Sequence, residues 1–381
     1  MRFIHTSDLH LGKRVNEFPM LEDQIYILKE ILRIVEEEKA GAVVIAGDVY
    51  DKPVPPAEAV QVFDSFLTEL AGYQIPVFVI SGNHDSQERI AFGNRLMRGR
   101  QVYMAPVYDG FVEPVELKDE YGSLFVYMLP FIKPAMVRKC WPEEEIPDFD
   151  AALRCAVGHI VKGDGGQAPL DPSARNVIVA HQFVAGASCC DSEELSIGGL
   201  DSVSADIFRE FDYVALGHLH GPQKIGRDTM RYSGTPLKYS FSEAGHRKSV
   251  AVVDMLEKGK VQVRLRELTP LRDLREIRGT YEELTRLDSY RGTRVDDYLR
   301  ITLTDEDDIL DALGKLRSIY PNIMKLDYDN RRTREGGRLE AVKEERRSPL
   351  EMLEQLYEMQ NNQPMSPEQV KLAEEIMRDI W

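Results

Sequence analysis

The chain is 381 residues long, 43% apolar and 29% charged, and carries a formal net charge of −16. That length exceeds one ordinary core, so two or three domains are expected. The acidic balance argues against an autonomous protein that grips nucleic acid by phosphate neutralisation alone, and the lack of a run of about 18 apolar residues argues against a membrane span.

In chain order, MRFIHTSDLH is neither a basic nor a long apolar leader, so it reads as a first strand (2–7) and a cytoplasmic protein is expected. A helix follows over 24–38, with Ile25, Leu28, Ile31, Leu32 and Val35 on one face. AVVIAGD is a buried strand, 56–71 a helix opening with proline, and PVFVISG another strand. Apolar strands alternating with helices predict an α/β sheet covered on both faces. From about 100 the strands shorten: YMAPVYDGFVEPVEL and LFVYMLPF, a helix near 148–162, then NVIVAHQF, YVALGH, RYSGTPL, KSVAVVDML and KVQVRLREL, the last two joined by an EKGK turn. The late strands predict a second, mixed sheet packed on the first, a sandwich of α/β class with α+β elements and flanking helices.

Residues 271–340 read as a small separate α/β domain: DLREIRG, a helix near 281–288, YLRITL, a helix near 306–318, and NIMKLDYDN. EAVKEERR is a charged linker. Ser348-Pro349-Leu350-Glu351 and Ser366-Pro367-Glu368-Gln369 each match a capping box with proline at the first helical position. The two helices present Leu350, Leu353, Leu356 and Tyr357, then Val370, Ala373, Ile376, Met377 and Ile380, ending at Trp381. They either fold back on their own domain or dock a partner. The expected division is 1–270, 271–344 and 345–381.

Five segments place metal-ligand residues where a strand stops: Asp8-Leu9-His10, Asp48, Asn83-His84-Asp85, His181 and His218-Leu219-His220. Six of the eight histidines lie in this set or, as His5, just before it. A lone strand-end histidine is usually structural, but five such ends in this order predict a metal cluster at one sheet edge. Asp8 and His10 point from one turn, and Asp48, on the middle strand, is the candidate bridge. Asn83, His181, His218 and His220 complete seven ligands, or four per ion with one shared. Mixed N and O donors without thiolate suit Mn²⁺, Fe²⁺ or Zn²⁺ better than Mg²⁺ alone, and Mn²⁺ is the metal expected. Two ions about 3.5–4 Å apart clamp both oxygens of a phosphoryl transfer and lower the pKa of the water between them. His84 is then free as general acid, and Asp51 could fix its tautomer. Lys13, Arg14 and Arg89 flank the loops as candidate contacts to a substrate phosphate that ordinary surface charge explains equally well. His5, His159 and His246 read as structural or surface residues. Cys140, Cys155, Cys189 and Cys190 form neither a CxxC pair nor a zinc spacing and read as free thiols.

In order, DxH, GDxxD, GNH[DE], a lone histidine and GHxH resemble the calcineurin-like metallophosphoesterases. The resemblance implies their fold. It assigns Asp8, His10, Asp48 and His220 to one metal, and Asp48, Asn83, His181 and His218 to the other. It makes His84 the acid with Asp51 as its partner. DLHLG, the HQF form of the lone-histidine motif and the trailing domain with its helices resemble the branch that serves as nuclease subunit beside an SMC-like coiled-coil ATPase. That branch implies an ATP-regulated, metal-dependent DNA exonuclease and endonuclease that acts from three-prime ends and on single strands or hairpins. It also implies a homodimer within a heterotetramer, docking of the ATPase on the C-terminal helices, and a nucleoid-associated cytoplasmic location. Archaeal and eukaryotic relatives carry a histidine where this chain has Asp51. A phosphatase acting on a small-molecule or protein phosphoester shares the same core, and a scaffold with a decayed site is the third alternative. The complete ligand set argues against the scaffold, and the C-terminal additions argue for the nuclease.

Overall fold

The computed structural model describes residues 1–164, 168–193, 201–307 and 309–331, then 350, 353–354, 356–358 and 363–380. It divides into two compact units, Met1–Leu271 and Arg272–Trp381. Among the described residues no helix is long and apolar enough to cross a membrane.

The first unit holds two six-stranded mixed sheets. In the first, Arg2–Thr6, Ala42–Ala46, Val77–Ile80 and Val102–Met104 run parallel, and Ser249–Met255 and Val261–Glu267 continue it antiparallel at one edge. In the second, Gly122–Met128, Arg175–His181, Tyr213–Gly217 and Arg227–Tyr232 run parallel, and the antiparallel Val115–Asp119 and Gln223–Ile225 form its edges. The faces meet through Phe3, Val44, Ala46, Phe78 and Ile80 on one side and Val126, Met128, Val177, Val179 and Ala215 on the other. Each valine, isoleucine, phenylalanine or methionine among them contributes roughly 1.5–3 kcal/mol on burial. Alternate residues of the second sheet, Ile178, Ala180, Val214 and Leu216, pack with Leu153, Ala156, Val157 and Ile160 of the helix Phe149–Lys162. Both faces are therefore covered, which accounts for the unbroken apolar runs.

Three expectations are corrected. KSVAVVDML and KVQVRLREL join the first sheet, because Phe3 and Ile4 pair with Val253 and Val252 and so give an apolar run buried on both faces its place beside the N-terminal strand. YMAPVYDGFVEPVEL forms two strands, Val102–Met104 and Val115–Asp119, split where Pro106 and Pro114 remove ladder donors and Gly110 takes φ +104°. RYSGTPL contributes only the end of Arg227–Tyr232.

In the second unit Leu274–Gly279, Tyr298–Leu303 and Ile323–Tyr328 form a parallel sheet over a core that includes Leu284, Leu299, Ile301, Leu316 and Ile323. The helix expected near 306–318 spans only Ala312–Arg317, because Asp311 sits at φ +52° and its carboxylate accepts the Gly314 N–H, starting the helix there. Ser366 and Gln369 form the reciprocal capping box of the helix Pro367–Ile380. The linker, the first capping box apart from Leu350, and Trp381 lie outside the described residues.

Candidate metal centre

Both sheets end at the same rim. The parallel register sets Ala46 beside Ile80 and His181 beside Gly217, so the loops after these strands open together. From the first sheet come Asp8, His10, Asp48, Asn83 and His84, and from the second His181, His218 and His220. The turn at Asp8 runs along the turn at Asp48: the amides of Asp8, His10 and Leu11 donate to the carbonyls of Gly47, Asp48 and Val49 at 3.0, 2.9 and 2.9 Å.

Glycine precedes Asp48, Asn83 and His218 for a steric reason. A Cβ on Gly217 would lie 1.8 Å from the Ala46 carbonyl oxygen, where the two sheets close on each other, and one on Gly82 would lie 2.1 Å from Asp48 Oδ1. The backbone is also held in an uncommon region. Asp8, His10, Asp48 and His218 have φ of 53°, 45°, 48° and 109°, a conformation that costs on the order of 1–3 kcal/mol per residue and clusters at functional sites.

The side chains converge as acceptors. His181 donates through Nδ1 to the Ala46 carbonyl at 2.8 Å, which turns Nε2 toward Asn83 Oδ1 at 3.0 Å and Asp48 Oδ2 at 3.2 Å. His218 Nδ1 reaches the same Asn83 oxygen at 2.9 Å. Across the site His10 Nε2 faces His220 Nε2 at 3.2 Å and Asp48 Oδ2 at 3.8 Å. Asp8, His10 and His220 form one potential ligand group and Asp8, Asp48 and His181 another. Asp8, His10, Asp48, His181, His218 and His220 are all buried. Facing lone pairs need either a proton or a cation between them, and a donor set of imidazoles, carboxylates and one amide, with a ligand histidine tied to a backbone carbonyl, fits divalent metal.

The electrostatics agree. Burial pushes the Asp8 carboxyl up to about 6. Burial also opposes the charge of Asp48, yet His181, together with His10 and His84, holds it far below the usual carboxylate range. Burial would lower His181, but Asp48 outweighs it and lifts the imidazole to about 9. Burial, reinforced by the His181 charge, drives His218 down to about 3, and burial takes His10 well below its ordinary value. One proton shared between Asp48 and His181 thus stands where a cation would supply the charge.

His84 lies at the mouth, half-buried. Its amide donates to Asp48 Oδ1 at 2.9 Å, and its ring meets the His10 ring edge-on at 4.8 Å. Asp51 meets His84 through its backbone: His84 Nδ1 lies 3.1 Å from the Asp51 carbonyl, while the carboxylate takes Lys13 Nζ at 2.7 Å and stands 3.7 Å from His10 Nδ1. The GDxxD turn presents its carbonyl to His84 because the side chain is drawn toward a cation. Lys13 also stands over the Tyr239 ring at 5.7 Å. Arg14 donates to the Glu17 carbonyl, and Arg89 is exposed in the short helix Gln87–Ile90 that follows the GNHD loop.

Sequence reasoning missed several supports. Asp85 accepts the amides of Gly82, Val49 and Tyr50 at 2.9, 3.0 and 2.9 Å, riveting the Asn83 loop to the Asp48 loop; its position next to GNH was the available signal. Gln24 and Tyr239 bind the His10 and Leu9 carbonyls at 2.7 and 2.6 Å, with no local pattern to mark them. Cys189 and Cys190 are free, and burial raises both thiols, Cys190 to about 12. His5 is buried against Tyr213 at 3.0 Å and takes no part in the rim.

Comparison with known proteins adds three findings. Residues 1–222 match the calcineurin-like phosphoesterase family, and residues 270–361 match a family described as the type 5 capsule protein repressor C-terminal domain, SbcD_C. The D subunit of the SbcCD nuclease from Staphylococcus epidermidis is 34% identical over 328 residues, covering 86% of this chain and 85% of its own. Among solved structures, a dimetal phosphatase from Danio rerio overlaps 70% of this chain and 96% of its own at 12% identity and a TM-score of 0.42. A Thermus thermophilus protein overlaps 69% and 98% at 12% identity and a TM-score of 0.39.

Proposed function

The chain belongs to the calcineurin-like phosphoesterase family and, within it, to the SbcD nucleases, and from that premise we propose that it is a two-metal phosphodiesterase that cuts DNA at ends and in single strands or hairpins. The observation that carries this reading is the rim itself, where imidazole, carboxylate and amide groups from both sheets converge on one another. Asp8, His10, Asp48 and His220 would hold one divalent ion, and Asp48, Asn83, His181 and His218 the other, with Mn²⁺ as the working metal. Held there, divalent metal would supply Lewis acidity toward the scissile phosphate and a lowered pKa for the attacking water.

The remaining steps belong to the chain. Asp48 draws both halves of the site together and also receives the His84 amide, so the acid moves with the bridge. As the imidazolium, His84 donates through Nδ1 to the Asp51 carbonyl and carries on Nε2 the proton that passes to the departing sugar oxygen. Phe131, stacked near His218 and edge-on to His181, excludes water from that wall. Lys13, Arg14 and Arg89 meet the DNA backbone near the loops. Because the chain is acidic, a coiled-coil ATPase of SbcC type supplies much of the DNA grip and gates access with ATP. It docks on the C-terminal helices, where Leu356, Leu372 and Ile376 are exposed. Phe92 and Leu96, 80% and 85% exposed, support a homodimer contact. The complex works in the cytoplasm at the nucleoid.

Incubation of the purified chain with Mn²⁺, linear duplex, circular single-stranded DNA and a phosphomonoester tests this directly. Shortened duplex and linearised circles are expected. Intact DNA beside a hydrolysed phosphomonoester would transfer the protein to the phosphatase alternative. Removal of residues 345–381 should leave Mn²⁺ uptake intact and abolish co-purification with the ATPase; retained co-purification would refute the docking site.

A further inference from the structure

His220 differs from His181 in how its second ring nitrogen is held. His181 leans on a backbone carbonyl of the rim. His220 Nδ1 instead lies 2.7 Å from Ser192 Oγ, in a loop that belongs to neither rim strand, and the same hydroxyl donates to Glu243 Oε1 at 2.6 Å. A hydroxyl has one proton. With that proton given to a carboxylate, its lone pair accepts the N–H of His220, which fixes the proton on Nδ1 and aims the Nε2 lone pair at the site.

The carboxylate behind the serine is itself anchored. Glu243 is 0% exposed and Lys248 5%. Lys248 Nζ donates to the second Glu243 oxygen, to Thr235 Oγ1 at 2.7 Å and to the His220 backbone carbonyl at 2.8 Å. One ammonium therefore ties the carboxylate and the backbone of the histidine it serves. The loop is pinned at both ends of the contact: Ser188 exchanges bonds with the Gln223 side chain, each at 2.8 Å, and the His220 amide donates to Glu193 Oε1 at 2.5 Å. Burying an ion pair is expensive and often adds no stability over apolar packing, so a pair satisfied this completely beside a ligand calls for a role other than holding the fold.

We propose that Ser192 and Glu243 are positioning residues for His220: the Lys248–Glu243 pair, acting through the Ser192 hydroxyl, sets the tautomer and direction of that imidazole toward the divalent ion it shares with Asp8, His10 and Asp48. This rests on the two-metal reading above. It places the strength of one of the two ion sites under the control of the loop around 188–193, not of the rim strands.

The test is calorimetric titration of the chelator-stripped full chain with Mn²⁺, alongside thermal melting of the metal-free protein. Wild type should take up two ions. Ser192→Ala should weaken one site about 10- to 100-fold and leave the other unchanged, Ser192→Thr should restore binding to within about threefold, and Glu243→Gln should reproduce the alanine variant. The metal-free melting midpoint of Ser192→Ala should match wild type. Equal affinity at both sites in Ser192→Ala overturns the assignment, as does an affinity loss matched by a loss of metal-free stability. If Glu243→Gln does not fold, the serine pair decides alone. Failure of wild type to bind Mn²⁺ would instead refute the two-metal reading.

Discussion

The strands that end in the ligand cluster begin in a second, only partly buried polar cluster, and the two are built on opposite principles. Arg175 opens the strand that His181 closes, about 20 Å away at 3.3 Å per residue. At the opening end every charge meets its opposite. Arg175, 2% exposed, takes both Asp119 oxygens at 2.6 and 3.1 Å and caps the Gly122, Met255 and Leu256 carbonyls. Arg2 pairs with Asp254 at 2.7 Å, and Glu38 receives Arg264 and Arg266. At the closing end imidazoles crowd one another around a single carboxylate, and four residues hold left-handed backbone. One cluster answers its carboxylates with guanidinium groups of the chain itself. The other calls for a cation, and that difference separates a structural from a functional use of polarity.

The comparison breaks first at Asp48. Asp48→Asn keeps the volume and removes the shared charge, so cleavage should fall by more than about a thousand-fold and Mn²⁺ uptake should drop at both sites. A variant that still binds two ions would remove Asp48 from the bridge. His84→Asn is next: loss of the acid should cost about 10² to 10⁴ in cleavage rate while the calorimetric binding curve stays that of wild type. A weakened curve would make His84 a ligand instead.

At the opposite end the expected effect is on folding alone. Asp119→Ala strands the buried Arg175, at a cost of about 3–5 kcal/mol. That corresponds to roughly 10 °C in melting midpoint for a unit of this size. Cleavage per folded molecule should be unchanged below the melt. A fall in rate without a fall in midpoint would mean that the two ends communicate, and the contrast would fail.

What could be read from the sequence follows the same line. The rim residues announce themselves because an apolar β-branched run has no packing reason to stop at His, Asp or Asn five times over, and because Gly47, Gly82 and Gly217 mark where backbone must pass a neighbouring ligand. The supports do not, because Gln24, Glu243 and Lys248 are ordinary residues of a helix and loops until three-dimensional proximity gives them a partner. Asp51 illustrates the limit. Its spacing from Asp48 is legible, but whether its carboxylate or its carbonyl meets His84 depends on Lys13, which approaches from another turn. The sheet to which 249–267 belongs was hidden for a related reason: strand order is decided by which edge remains open, and chain order does not record that.

The smallest predicted effect separates the ends by the sign of their pH dependence. The Arg264 hydrogen bond, backed by Arg266 and opposed by burial, holds Glu38 down at about 2 against an ordinary 4.5. Between those values the unfolded chain binds more protons than the folded one, so stability rises with pH. The Glu38 contribution is complete above 4.5 and is lost as pH falls toward 2. Asp8 has the reverse sign. Raised from 3.8 to about 6, mainly by burial, it makes the metal-free fold the better proton binder across that window, so its share of stability falls as pH rises. Melting midpoints of metal-free protein should therefore show Glu38→Gln converging on wild type as pH drops from 5 toward 3, and Asp8→Asn gaining on wild type as pH climbs from 4 to 6. With Mn²⁺ bound the carboxylate is stabilised as the anion, so the Asp8 trend should vanish while the Glu38 trend persists. An Asp8 trend that survives Mn²⁺ would mean that the carboxylate faces no cation, and the rim would then be a second closed cluster like the one at the other end of its strands.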